Sequence, residues 1–289
     1  MTESIQTTVL LSLVASLFFG LQAVLAKRSL ATLNAQAGAM ITIVTATVGF
    51  WVVAPWLMES RHWSSPGLWV FVVNGFIHPT MSMYLSFEAN RRMGATISAT
   101  IAATAPLFAA TGAVLALGET LTSTILMGTL GIVAGIIFLT WKRQDTYVWA
   151  ITALFFPLGA AMVRAFNHVF AKYGLEMLDS GYFAATISFS TSAVVSVLAY
   201  FWATRGKSIR LPRSGITWAG MGGVTIFISI FAMYRALATG QVVIVSPVVN
   251  TYPLFTLAWA LTFRQETLRV KTLAGVVLVV AGVVLVSSG

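Results

Sequence analysis

The sequence predicts an all-α polytopic membrane protein, built as ten transmembrane helices in two inverted five-helix repeats. Three observations carry that prediction: an apolar composition, ten apolar runs of spanning length, and matched residues at a nearly constant offset. Of 289 residues, 58% are hydrophobic and 9% are charged, against about 25% charged in an ordinary soluble domain. A soluble fold needs a polar shell that this chain cannot supply, so the bilayer is its solvent.

The ten runs are 5–26, 36–58, 66–87, 95–117, 122–141, 147–171, 181–203, 214–238, 242–263 and 268–288. Each is close to the ~20 residues that cross ~30 Å of hydrocarbon. Strands of a membrane barrel would alternate apolar and polar, whereas these runs are apolar on all sides, so they are helices. The connections are short, which leaves no soluble domain to carry a separate activity. Run 5–26 lacks a basic n-region and an A-x-A site, so no cleavable signal is expected.

The net charge of +9 does not indicate nucleic acid. The Lys and Arg residues fall between apolar runs, without the interleaved aromatics of a nucleic-acid face. There is no Cys, which excludes disulfides and Cys-based metal or nucleophile chemistry. Thirteen basic residues follow spans 1, 3, 5, 7 and 9: Lys27, Arg28, Arg91, Arg92, Lys142, Arg143, Arg205, Lys207, Arg210, Arg213, Arg264, Arg269 and Lys271. Three, Arg61, Lys172 and Arg235, fall on the other side. The positive-inside rule makes the first set cytoplasmic and leaves both termini external.

The chain repeats itself. Gln22-Ala-Val-Leu-Ala-Lys-Arg-Ser-Leu30 matches Asn167-His-Val-Phe-Ala-Lys-Tyr-Gly-Leu175 at an offset of 145 residues. Ala105-Pro106-Leu107-Phe108 matches Tyr252-Pro253-Leu254-Phe255 at 147, as do Glu119-Thr120-Leu121 with Glu266-Thr267-Leu268, Gly128 with Gly275, and Gly135 with Gly282. Met83-Tyr84 echoes Met233-Tyr234 at 150. The chain divides into a first repeat at 1–143 and a second at 144–289. Five spans per copy is an odd number, so the second copy enters from the opposite side, a build typical of secondary transporters.

These matched segments, Ala105-Pro106-Leu107-Phe108…Gly118-Glu119-Thr120-Leu121…Gly128…Gly135 and their copy, resemble the EamA-type exporters of the drug/metabolite transporter superfamily. The resemblance covers the chain once per half. It implies a basket of ten helices around a central cavity lined by spans 1, 3, 4, 6, 8 and 9, with spans 5 and 10 as support or oligomer helices. It further implies a multi-pass protein of a bacterial inner (plasma) membrane that exports amino acids and related metabolites, as a monomer or homodimer. One departure is Phe263-Arg264-Gln265-Glu266, where the first copy reads Ala116-Leu117-Gly118-Glu119.

Polar residues inside spans are the candidate site, because they are costly there. In span 3, Asn74, His78, Met81, Ser82 and Leu85 share one helical face. Pro79 removes a backbone bond beside them, giving a kink and a free carbonyl. His78 reads as a cavity ligand or proton-sensitive gate, which leaves proton coupling open; the plainer reading is a neutral His bonded to a neighbouring helix. In span 6, Arg164 lies one turn before Asn167 and His168. Its guanidinium suits a carboxylate; the plainer reading is a side chain that snorkels to the interface. Thr96, Thr100, Thr104 and Thr111 make a stripe in span 4, and such residues commonly bond back to their own helix. Asn250, beside Ser246 and Tyr252 in span 9, needs amide partners. Tyr84 and Tyr234, the repeated pair, are expected in the cavity wall.

Trp51, Trp56, Trp63, Trp69, Trp141, Trp149, Trp202 and Trp218 fit interfacial belts. The repeated glycines permit close helix packing, and Glu119 and Glu266 are expected to favour the N-termini of spans 5 and 10. There is no Walker A motif, no HExxH and no catalytic triad in a soluble segment, so neither an ATPase nor a hydrolase is expected, and no cofactor. The mid-span ionisable groups are basic, which favours a small carboxylate-bearing cargo such as an amino acid or an opine-like metallophore. The alternatives are a multidrug exporter of cationic or neutral compounds, against which the missing intramembrane carboxylate argues, and a lipid handler or membrane enzyme.

Overall fold

The computed structural model describes residues 2–82, 84–86, 88–89, 92, 101–140, 151–205, 211–263 and 270–289. Met83, Arg91, Thr96, Thr100, Trp141, Lys142, Arg143, Trp149, Lys207, Arg210 and Arg264 to Arg269, all used above, lie outside the described residues.

The first half contains α1 (Thr2–Ser29), α2 (Ala35–Leu57), a 3-10 turn at Ser60–Ser64, α3 (Gly67–Ile77), α4 (Ala105–Leu117) and α5 (Ser123–Thr140). The second contains α6 (Phe155–Met177), α7 (Gly181–Thr204), α8 (Arg213–Thr239), α9 (Val242–Val249), α10 (Tyr252–Thr262) and α11 (Val270–Ser288). Among the described residues, seven helical stretches are long and apolar enough to cross a membrane. Three shorter apolar helices, Ala105–Leu117, Ser123–Leu139 and Leu273–Ser288, lie where the other expected spans fall. Asn34 and Ser180 accept the Ala37 and Phe183 amides at the starts of α2 and α7, and Gly118, at φ 66°, ends α4.

Among the described residues three expected spans are interrupted beside a proline: span 3 at Pro79, span 4 at Ala103 and Thr104 before Pro106, and span 9 before Pro253. Pro79 has no N–H for the Gly75 carbonyl four residues back. His78 has left the helical region (φ −123°, ψ 136°). The freed carbonyl finds a donor on another helix: Ser192 Oγ of α7 lies 2.6 Å from the Gly75 oxygen and 3.0 Å from that of His78. In span 9, α9 stops at Val249, Asn250 and Thr251 turn, and Pro253 sits at the start of α10, where its missing donor costs nothing.

Small residues set the packing. Apolar burial gives little drive between helices in lipid, so close backbone approach decides which helices pair. A Cβ on Gly128 would stand 2.7 Å from the Gly282 oxygen, and one on Gly135 would stand 2.8 Å from that of Gly275. Helices α5 and α11 therefore cross antiparallel with backbones in contact. The same economy recurs elsewhere. A Cβ on Gly75 would meet the Ser188 oxygen of α7 at 2.5 Å, and one on Gly223 would meet the Thr42 oxygen of α2 at 2.7 Å. Gly67 packs on Leu178, and Gly215 on Leu33.

Helix directions follow from these contacts. Helix α1 is antiparallel to α8, with Thr8 bonded to Thr239 at one end and Gln22 and Leu25 beside Gly222 towards the other. Helix α3 is antiparallel to α6, pairing Gly67 with Gly174, Asn74 with Asn167 and Leu85 with Gly159. Helices α2 and α7 cross where the Tyr182 hydroxyl donates to the Phe50 carbonyl, with Phe189 and Phe227 on the same ring.

Candidate functional site

Asn74 of span 3 and Asn167 of span 6, both singled out by the sequence, come together between α3, α6, α7 and α8. Asn74 is fully buried. Its Nδ2 lies 2.9 Å from Asn167 Oδ1, 3.2 Å from Tyr234 Oη and 3.4 Å from Ser188 Oγ. Ser188 Oγ in turn donates to the Phe71 carbonyl. Four helices thus meet at one amide, and the hydrogen bonds explain why Asn74, Asn167 and Tyr234 tolerate burial. Asn74 Oδ1 has no partner among the described residues.

Beside this junction sit three basic groups. Arg164, on α6, lies roughly 14 Å from the start of its helix and roughly 20 Å from the end, at ~1.5 Å per residue. Its guanidinium turns inward: Nη2 is 3.5 Å from the Ala102 carbonyl oxygen, and Nε is buried with no partner. His168, one turn on, is 5% exposed and its Nδ1 is also unpartnered. His78 is half-buried at the end of α3, with its carbonyl held by Ser192 of α7. The cluster offers donors, and among the described residues no carboxylate is bonded to Arg164 or His168.

Three comparisons place the chain among known proteins. The model of the EamA-like transporter family matches residues 6–141 and again 151–288. The chain belongs to the EamA-like transporter family. Its family is one of transporters rather than enzymes. An uncharacterized protein of Methanocaldococcus jannaschii is 33% identical over 72 residues, which is 25% of this transporter and 53% of that protein; the chain spans about half the length of that curated relative. A solved crystal structure superposes with a TM-score of 0.81 over 97% of this chain and 96% of its own, at 15% identity, which shows a shared fold alone.

Other expected site residues of the transporter lie apart from the junction. Asn250 is buried, and its amide bonds back to the Ser246 carbonyl at 2.8 Å. Its neighbour Thr251 reaches Ser16 of α1 at 2.9 Å. Ser82 is buried and bonds the Pro79 carbonyl. Tyr84 is 56% exposed while its repeat partner Tyr234 is 2% exposed, so the matched tyrosines are not placed alike. Thr104 and Thr111 bond back to Ile101 and Leu107 of their own segment. An apolar cleft of about 540 Å³ opens between α4 and α6, lined by Phe108, Gly112, Phe166 and Val169 among others; Arg164 does not line it.

Ser188 and Ser192 were not legible beforehand, since a serine in an apolar run usually bonds its own helix. Gly75 and Gly223 were not singled out either; they stand 148 residues apart, between the offsets of 147 and 150 that the other matches give, and that is the signal that could have found them. Glu119 is a correction. Its expected role at the start of α5 is taken by Thr122, whose Oγ1 accepts the Ile125 amide, while Glu119 reaches across to α9.

Proposed function

We propose that this transporter exports small carboxylate-bearing metabolites, amino acids or compounds derived from them, across a bacterial inner membrane by alternating access. The observation that carries the reading is Arg164. An unpaired charge near the bilayer centre costs at least about 2.5–3.5 kcal/mol. Arg164 nevertheless sits mid-helix, with Nε buried and unpartnered and His168 one turn on. A guanidinium so placed binds a carboxylate in a two-point fork. The cargo carboxylate docks on Arg164, and His168 and His78 supply further donors. Cations are disfavoured at such a site.

Alternating access is supported by the pairing of the halves. In our reading the ten spans form two five-helix repeats related by a two-fold axis in the membrane plane, with both termini external. Exchanging the halves turns the α1 contact with α8 into that of α6 with α3, Gly67 with Leu178 into Gly215 with Leu33, and Gly128 with Gly282 into Gly275 with Gly135. The antiparallel contacts of α1 with α8 and of α3 with α6 support this reading, since inverted repeats bring such equivalent pairs together.

The test is a proteoliposome flux assay with labelled amino acids, dicarboxylates and cationic drugs, with and without a pH gradient. Saturable carboxylate flux that is lost in Arg164→Ala is expected; cation flux indifferent to Arg164 would sink the proposal.

A further inference from the structure

Two residues that the sequence repeats, and that the site leaves unused, meet at one turn. Lys172 lies towards the end of α6, and its ammonium donates to the Leu237 and Gly240 carbonyls, both at 3.0 Å. These are carbonyls that the end of α8 cannot satisfy itself. Glu119, in the link between α4 and α5, takes the Val242 amide on Oε1 at 2.8 Å and the Val243 amide on Oε2 at 2.9 Å. These are the first free amides of α9. Each charge has the sign that its helix end favours. Thr8 of α1 closes the third side: its hydroxyl is 3.2 Å from that of Thr239, and a Cβ on Gly240 would stand 2.3 Å from Thr8 Cγ2. The α8–α9 turn is thus gripped from α1, from α6 and from the α4–α5 link.

The repeat supplies the contrast. Lys27 occupies in α1 the place that Lys172 occupies in α6, yet Lys27 is exposed at the opposite end of the bundle. The counterpart of Glu119 is Glu266, which lies outside the described residues. Equal places in the two copies are therefore occupied differently: one lysine is engaged and the other faces outward.

We propose that Lys172 and Glu119 are positioning residues for transport, which clamp the α8–α9 turn and hold that end of the path shut until both let go. The proposal rests on the alternating-access reading but not on the identity of the cargo. Lys27 has the corresponding place in α1 at the other end.

The chain has no cysteine, so a single reporter can be introduced. Val245 is fully buried one turn into α9, and Val245→Cys in the reconstituted full chain is probed with a membrane-impermeant maleimide. Labelling of this parent is expected to be slow. Adding Lys172→Met or Glu119→Gln raises the labelling rate about tenfold, as loss of a charge-assisted bond shifts a two-state population. Lys172→Arg restores the slow rate, and Lys27→Met does not raise it. Labelling as slow as that of the Val245→Cys parent in both clamp variants, with only a lowered melting temperature, would make the pair mere helix caps and overturn the proposal, as would fast labelling of the parent. If Lys172→Met does not fold, Glu119→Gln decides, because it retains one acceptor oxygen. Arg164→Ala separates the two readings: it stops carboxylate flux if the cargo reading holds, and it leaves Val245→Cys labelling slow whether or not that reading holds.

Discussion

Helices α1 and α6 hold the same place in the two halves of the chain, and they have diverged where it counts. At the repeat offset of 145, Arg164 stands opposite Phe19, Asn167 opposite Gln22 and His168 opposite Ala23, while Ala171-Lys172 stands opposite Ala26-Lys27. What the copies keep is the framework. What only α6 carries is the basic, hydrogen-bonding surface beside Asn74 and His78. In a membrane, polar residues of this kind are costly, and the carboxylate site proposed above rests on this difference between the halves.

The contrast can be broken first at the framework, where the largest effect is expected. Gly128→Leu and Gly275→Leu lie on the same crossing of α5 and α11, where a Cβ would stand 2.7–2.9 Å from facing backbone atoms. Each should cost roughly 3 kcal/mol or more from overpacking, read as lost thermal stability in detergent. If only one of the pair is destabilising, the two copies do not share the crossing equally.

Arg164→Ala comes next. With the fork gone, carboxylate flux should fall about 100-fold, since each hydrogen bond to a charged group contributes about 1.5–3 kcal/mol. Expression and melting temperature should stay near those of the parent. Normal flux would remove the anion-binding mechanism and leave the transporter fold standing.

Asn167→Leu strips the acceptor from the Asn74 amide and should cost roughly 1–2 kcal/mol, the range for polar bonds between membrane helices. Gln22→Leu, at the equivalent place in α1, should change stability by no more than about 0.5 kcal/mol. Similar losses from both would mean that α1 carries a hidden polar junction of its own, and the claim that one half meets the cargo would fail.

Composition and order of residues determined a good deal here. An apolar chain with few charges had to lie in lipid as helices, because a lipid-exposed backbone must satisfy its own hydrogen bonds. Pro79 had to interrupt its span, because proline brings no donor. The repeat required matched glycines, and the family followed from the same matched segments. Tertiary structure decided the rest. In an apolar run, periodicity does not say which face meets lipid and which meets protein, because both surroundings are equally apolar. That is why Tyr84 and Tyr234 look equivalent in sequence and are placed so differently. Hydrogen-bond partners far along the chain leave no local pattern either. Ser192 answers the carbonyl that Pro79 frees, Glu119 caps α9 instead of α5, and the Arg164 guanidinium turns to Ala102 rather than to the surface. Each of these depends on which helices come side by side, and that is settled by how closely small residues let their backbones approach.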